Sequence, residues 1–142
     1  LKGLDFMDVA KGALQAARPK ILLLEDDSGV RRSLQLLLQA QGFDVRAYAA
    51  GAPLLSDESA DEAVCLIADY RMEDLDGIAV LLRLRAKNWA GPAILITAFS
   101  SQDLRERATS AGYAVVLEKP LRQHALVETV SRLTAHRRSS ET

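Results

Sequence analysis

Four apolar runs of four or five residues recur along the chain, and each stops at a residue with chemistry to offer. Residues 21–24 end at Glu25-Asp26-Asp27, residues 64–68 at Asp69, residues 93–96 at Thr97, and residues 114–117 at Glu118-Lys119. Continuous apolar runs of this length read as strands buried on both faces, the habit of a parallel sheet covered by helices. In an open α/β sheet the carboxyl ends of parallel strands share one edge. Acids, a hydroxyl and an ammonium that are distant in sequence can therefore converge there.

Each run is followed by a segment of helical period: Val30, Leu34, Leu37 and Leu38; Ile78, Leu81 and Leu82; Leu104, Ala108 and Ala111; Leu126, Val130 and Leu133. Gly42, Gly91 and Gly112 fall just past three of these segments, where a left-handed helix cap favours glycine. Residues 43–48 differ, because Phe43, Val45 and Ala47 alternate with Asp44, Arg46 and Tyr48, the mark of a half-exposed edge strand. Between it and the Asp69 strand, residues 53–63 predict a short helix and then an acidic loop, read as a solvated face. Strand and helix thus alternate five times. Right-handed crossovers fold such a chain into an α/β three-layer αβα sandwich with a five-stranded parallel sheet of order 2-1-3-4-5. The crevice then lies between the first and third strands, flanked by Glu25, Asp26 and Asp69.

A chain of 142 residues with 49% apolar content can build one such domain, here residues 20–138. Residues 1–19 read as an N-terminal linker or extension with a marginal amphipathic helix broken at Arg18-Pro19, and residues 139–142 as the end of a frayed tail beginning near Arg137. The leucine start fits an excised piece of a longer protein as well as a processed one. A net charge of -1 provides no pull toward nucleic acid or membrane, and Arg83, Arg85 and Lys87 lack interleaved aromatics, so they read as a solvated face. Cys65, the single cysteine, lies inside an apolar run and reads as a small buried hydrophobe in a reducing compartment. No stretch has the length of a membrane span or the pattern of a signal peptide. Trp89 reads as a packing residue.

Carboxylates gathered at one crevice repel one another, and burying them costs several kcal/mol without a counter-ion, so the site asks for a cation. Oxygen-only donors point to magnesium; no His or Cys spacing suits zinc, and His124 and His136 read as solvated helix positions. Beside such a cation Asp69 can attack phosphorus to form an acyl phosphate. Thr97 and Lys119 can hold the phosphoryl oxygens as charge redistributes. Asp27, just before Ser28, reads as a helix cap.

Taken together, ILLLEDD, LIADYRM, Asp76-Gly77 eight residues beyond Asp69, ILITA and LEKP resemble the receiver domain of two-component response regulators over residues 20–138. The 2-1-3-4-5 sheet is the one known for that family's chemotaxis regulator. The resemblance implies phosphorylation of Asp69 by the phosphohistidine of a sensor histidine kinase or histidine phosphotransferase. It implies Mg2+, with Mn2+ able to substitute, held by Asp26, Asp69 and the Arg71 backbone carbonyl, with Glu25 acting largely through water. It further implies that Thr97 and the Ala98 backbone amide contact the phosphoryl group, that Lys119 pairs with it, and that Lys119-Pro120 is cis. Such a module is a signalling phosphoacceptor of the bacterial cytoplasm, assisting only its own phosphorylation and dephosphorylation. It works freestanding or as part of a hybrid kinase or regulator, with a fused kinase or output domain or a homodimer among its arrangements.

Two positions depart from the family pattern. Val116 stands where an inward-turning tyrosine or phenylalanine is usual, and Tyr113, three residues earlier, is expected on the opposite face of the strand. Glu73 stands where the loop after the phosphoacceptor commonly has proline, and Arg71 and Phe99 occupy positions that tune phosphate loss in the family. Two other readings compete. A phosphohydrolase of the haloacid dehalogenase type would want a second Asp two residues after its nucleophile, where this chain has Arg71. A degenerate receiver would not need the intact Asp26, Asp69, Thr97 and Lys119.

Overall fold

The computed structural model describes residues 18–140. In chain order the elements are β1 (Lys20–Leu24), α1 (Ser28–Ala40), β2 (Asp44–Tyr48), α2 (Gly51–Ser56), a 3-10 turn (Glu58–Glu62), β3 (Cys65–Asp69), α3 (Gly77–Ala86), β4 (Ala93–Thr97), α4 (Gln102–Ala111), β5 (Val115–Glu118) and α5 (Gln123–Ser140). The five strands are parallel and ordered β2-β1-β3-β4-β5, the expected three-layer arrangement. Register keeps the carboxyl ends level: Leu24 lies opposite Ala68, Asp69 opposite Ile96, and Thr97 opposite Glu118.

Strand periodicity divides the core in two. Leu22, Leu24, Leu66, Ala68 and Leu95 face a layer containing Leu54 of α2, Leu81 and Leu84 of α3, and Leu104 and Ala108 of α4. Ile21, Leu23, Cys65, Ile67, Ile94 and Ile96 face Leu34 and Leu38 of α1 and Leu126 and Val130 of α5. Most of these side chains are fully buried, and each such Leu or Ile contributes about 1.5–3 kcal/mol over exposure. A one-residue slip of any central strand would swap its two faces, so the register that levels the strand ends is strongly held. Cys65 is buried as expected, and burial pushes its thiol up to about 12. Among the described residues no helix is long and apolar enough to cross a membrane.

Several local expectations are corrected. The acidic stretch after α2 is a 3-10 turn rather than a loop. Asp57 caps it, accepting from the Ser59 amide at 2.9 Å and hydroxyl at 2.8 Å and from the Tyr48 hydroxyl, while Glu62 pairs with Lys20 at 2.8 Å. These bonds tie the corner to β1 and β2. Gly42 (φ 96°) and Gly112 (φ 113°) take the left-handed conformation, but after α3 that role falls to Asn88 (φ 70°), a residue type that tolerates it. Leu82 is 52% exposed, because Val80, Leu81 and Leu84 form the inner face of α3.

Arg85 is a staple rather than a free surface charge. It donates to the carbonyls of Trp89 (3.0 Å), Gly91 (2.8 Å) and Gly112 (3.2 Å), and its guanidinium lies 5.1 Å from the Trp89 ring centroid. Trp89 is packed as expected, its indole N–H donating to Ala63 O at 2.9 Å. Helix α5 continues to Ser140, into the stretch expected to fray. The helix expected within residues 1–19 falls on residues 1–17, which lie outside those described.

Candidate functional site

The loop leaving β1 carries the acids. Asp27 caps α1, accepting from the Val30 amide at 2.9 Å, and so fixes the direction of the chain immediately after Asp26. Arg31, one turn into that helix, reaches back to the carbonyls of Glu25 (2.9 Å) and Asp26 (3.3 Å), and the Glu25 amide donates to Tyr48 O at 3.1 Å. The short loop is therefore held from three sides. Asp69, the last residue of β3, comes up beside it.

One carboxylate oxygen each from Glu25, Asp26 and Asp69 lie within 4.8 Å of one another. Glu25 and Asp69 are buried, while Asp26 is exposed. Lys119, just past β5, places its ammonium 3.0 Å from Glu25 Oε1 and 2.6 Å from Asp69 Oδ2. One ammonium pairs with two of the three acids, so uncompensated negative charge remains among hard oxygen donors. That donor set suits a small divalent cation such as magnesium, which favours carboxylates, carbonyls and retained water.

Electrostatics follow the geometry. Burial, reinforced by the nearby Asp69 charge, raises the Glu25 carboxyl above its ordinary range, although the bond from Lys119 opposes this. Burial pulls Lys119 downward, but the bonds to Asp69 and Glu25 outweigh it and leave the lysine above its usual value. The ammonium is thus firmly charged.

Thr97 ends β4 with its side chain buried, and its hydroxyl donates to Phe99 O at 3.0 Å while accepting from the Phe99 amide at 3.3 Å. It stands at the same sheet edge as the acids but is engaged with its own loop. Ala98 opens that loop, and Phe99 projects from it 77% exposed. The Lys119-Pro120 peptide is cis. Arg71 is exposed and hydrogen-bonds through its amide to Asp69 Oδ1 at 3.3 Å.

The expected placement of Tyr113 is overturned. Tyr113 and Val116 pack on the same core layer, with Tyr113 buried and its hydroxyl donating to Gly77 O at 2.6 Å. Two-residue alternation applies only within a strand, and Tyr113 precedes β5. Its partner Gly77 sits so close behind the end of β3 that a Cβ there would lie 2.6 Å from Asp69 O. Sequence reasoning also missed Asp74, whose carboxylate bonds to backbone amides of Gly51, Ala52 and Leu75, and the contact of Arg107 with the Tyr70 hydroxyl at 3.2 Å. The bonds of Asp74 to Gly51 and Ala52 and of Arg107 to Tyr70 have no local signal, since each joins residues more than twenty positions apart.

Residues 21–131 match the family model described as the response regulator receiver domain. The chain is 31% identical over 123 residues to the C4-dicarboxylate transport transcriptional regulatory protein DctD of Rhizobium meliloti, covering 87% of this chain and 27% of that protein. It is 34% identical over 124 residues to the transcriptional regulatory protein PrrA of Mycobacterium tuberculosis, covering 87% of this chain and 53% of the relative. The chain therefore spans about a quarter to a half of these relatives. Among solved structures, the signal receiver domain of a putative Luxo repressor protein from Vibrio parahaemolyticus has the same fold, with a TM-score of 0.80 at 22% identity over 87% of this chain and 95% of that one. The acidic edge of the sheet, the matched family model and the curated relatives agree: this chain belongs to the response regulator receiver domain family.

Proposed function

We propose that the chain is a phosphoacceptor that takes a phosphoryl group from a partner's phosphohistidine onto Asp69. The observation that carries this reading is the meeting of Glu25, Asp26 and Asp69 with the Lys119 ammonium at one sheet edge. An oxygen of Asp69 attacks phosphorus, the phosphorus–nitrogen bond breaks, and the imidazole leaves as an acyl phosphate forms. Asp26, Asp69 and the Arg71 carbonyl would hold magnesium, with Glu25 acting through water, and the ion supplies positive charge against the phosphoryl oxygens.

Lys119 already holds Asp69 Oδ2, so it orients the nucleophile and then pairs with the phosphoryl oxygens. Thr97 exchanges its bond to Phe99 O for one to the phosphoryl group, beside the Ala98 amide, and this exchange moves the loop leading into α4. The partner is a sensor histidine kinase or histidine phosphotransferase in the bacterial cytoplasm. The relatives run well beyond the matched part, so the receiver would serve a fused or separate output unit.

The test is incubation with Mg2+ and acetyl phosphate or beryllofluoride, comparing wild type with Asp69→Asn by intact mass and NMR. An adduct on wild type alone is expected. Continuous phosphate release from unrelated phosphomonoesters would replace this reading with a hydrolase, and no adduct even with a cognate kinase would replace it with a phosphorylation-independent module.

A further inference from the structure

We infer that Asp74 is a positioning residue for magnesium: it anchors the loop of residues 70–76, which carries the Arg71 carbonyl, to the start of α2. The inference rests on the proposed metal site and adds a residue that does not touch the ion. The ends of this loop are fixed by the sheet and by α3. The Tyr70 amide donates to Ile96 O at 2.8 Å, the Gly77 amide to Tyr70 O at 2.9 Å, and Asp76 caps α3 by accepting from the Ala79 amide at 2.8 Å. Between these ends the Arg71 amide hangs on Asp69 Oδ1 at 3.3 Å, a weak tether to the side chain that is itself to be modified. Position 73 is glutamate, so no ring stiffens the backbone there.

Asp74 provides the missing anchor. Its Oδ1 accepts from the amides of Gly51 (3.0 Å) and Leu75 (2.7 Å), and its Oδ2 from the amide of Ala52 (2.8 Å). The first amides of a helix lack partners within it, and the residue capping α2, Ala50, has no side chain that could serve them. The loop therefore supplies the cap that the local sequence of α2 omits. Contact is close because position 51 is glycine: a Cβ there would lie 2.8 Å from Val80 Cγ2 and 3.2 Å from Leu75 Cβ. Helix α2 is in turn seated in the core by the fully buried Leu54. Through Asp74 the core thus fixes the backbone of the loop that carries Arg71, and with it the carbonyl assigned to the proposed metal site.

The experiment is calorimetric titration of the full chain with MgCl2, without phosphoryl donor, at a temperature where every variant is folded. Removing an outer group that orients a ligand typically costs 10–100-fold in metal affinity, and Asp74→Ala is expected to weaken Mg2+ by about tenfold. Asp74→Asn keeps one oxygen for Gly51 and Leu75 and should lose less. A control of matched melting loss in the other core layer, Val130→Ala, should bind Mg2+ like wild type. Affinity of Asp74→Ala within about twofold of wild type, or an equal loss in the control, overturns the inference. Wild type that binds no Mg2+ refutes the proposed metal site itself, a separate outcome.

Discussion

Replacing Lys119 with alanine would strip two buried carboxylates of their shared counter-ion. Glu25 is 2% and Asp69 6% exposed, and the ammonium lies 3.0 and 2.6 Å from them. At an effective dielectric of about 20, each contact represents roughly 5–6 kcal/mol of gross attraction, most of it offset by desolvation. Breaking a buried pair from one side costs about 3–5 kcal/mol. The Lys119 side chain is 29% exposed, so water screens part of this, and about 2 kcal/mol is the expected loss near neutral pH.

For a domain of this size that is a fall of about 8 °C in melting temperature, measured by circular dichroism in EDTA. The sign of the pH dependence follows from Glu25. Its folded pKa is already raised, so its ionisation in the folded state opposes stability above that pKa, and loss of Lys119 raises it further. The deficit of the variant should therefore shrink as the solution is acidified through the folded pKa of Glu25. Mg2+ at tenfold over its Kd stabilises either protein by about 1.4 kcal/mol, so it should narrow the deficit only to the extent that the variant, with one positive charge fewer beside the acids, binds the ion more tightly than wild type. A variant that melts within about 2 °C of wild type in EDTA, or whose deficit is the same at acid and neutral pH, would refute the lysine as counter-ion.

The Tyr48 hydroxyl, with Ser59, holds Asp57 at about 2, and three backbone amides hold Asp74 at about 2. Both folded pKa values are depressed, so their contribution is present above about pH 4 and lost as pH falls toward 2; the double variant Asp57→Asn, Asp74→Asn should show a flatter stability curve across that window in acid titration. Tyr113→Phe leaves Gly77 O without its buried donor and should cost about 1–2 kcal/mol in urea unfolding, with beryllofluoride adduct formation retained. Gly77→Ala would force a Cβ to 2.6 Å from Asp69 O and 2.8 Å from Leu95 Cδ1, so it should cost about 1–3 kcal/mol and slow acetyl phosphate labelling as the β3 end shifts.

The layer architecture was legible because buried parallel strands print themselves as unbroken apolar runs, and 21–24, 64–68 and 93–96 lie within strands β1, β3 and β4 apart from Val64 at one margin. The convergence of Glu25, Asp26, Asp69 and Lys119 was legible for the same reason, since topology alone brings parallel strand ends together. What escaped was set by tertiary pairing. Arg85 looked like surface charge until three carbonyls from two loops met its guanidinium. Gly91 looked like a helix cap, but Asn88 turns the chain first. Strand period misplaces Tyr113, because the residue precedes β5 and its hydroxyl, bonded to a buried acceptor, faces the layer that also holds Val116. The Thr97 hydroxyl was at the predicted edge, yet its bond to Phe99 O could not be read from type or spacing.

Trp89 is the sole tryptophan, and its place in the fold decides what light can report. It follows α3 and precedes β4, at the amino ends of strands whose carboxyl ends carry the acids, with its indole bonded to Ala63 and stacked under Arg85. Its emission should change sharply when the domain unfolds and hardly at all on the proposed phosphorylation of Asp69. Native fluorescence is thus a gauge of integrity, and a probe of the proposed phosphorylated state has to be introduced at the opposite rim, where Phe99 stands open to solvent.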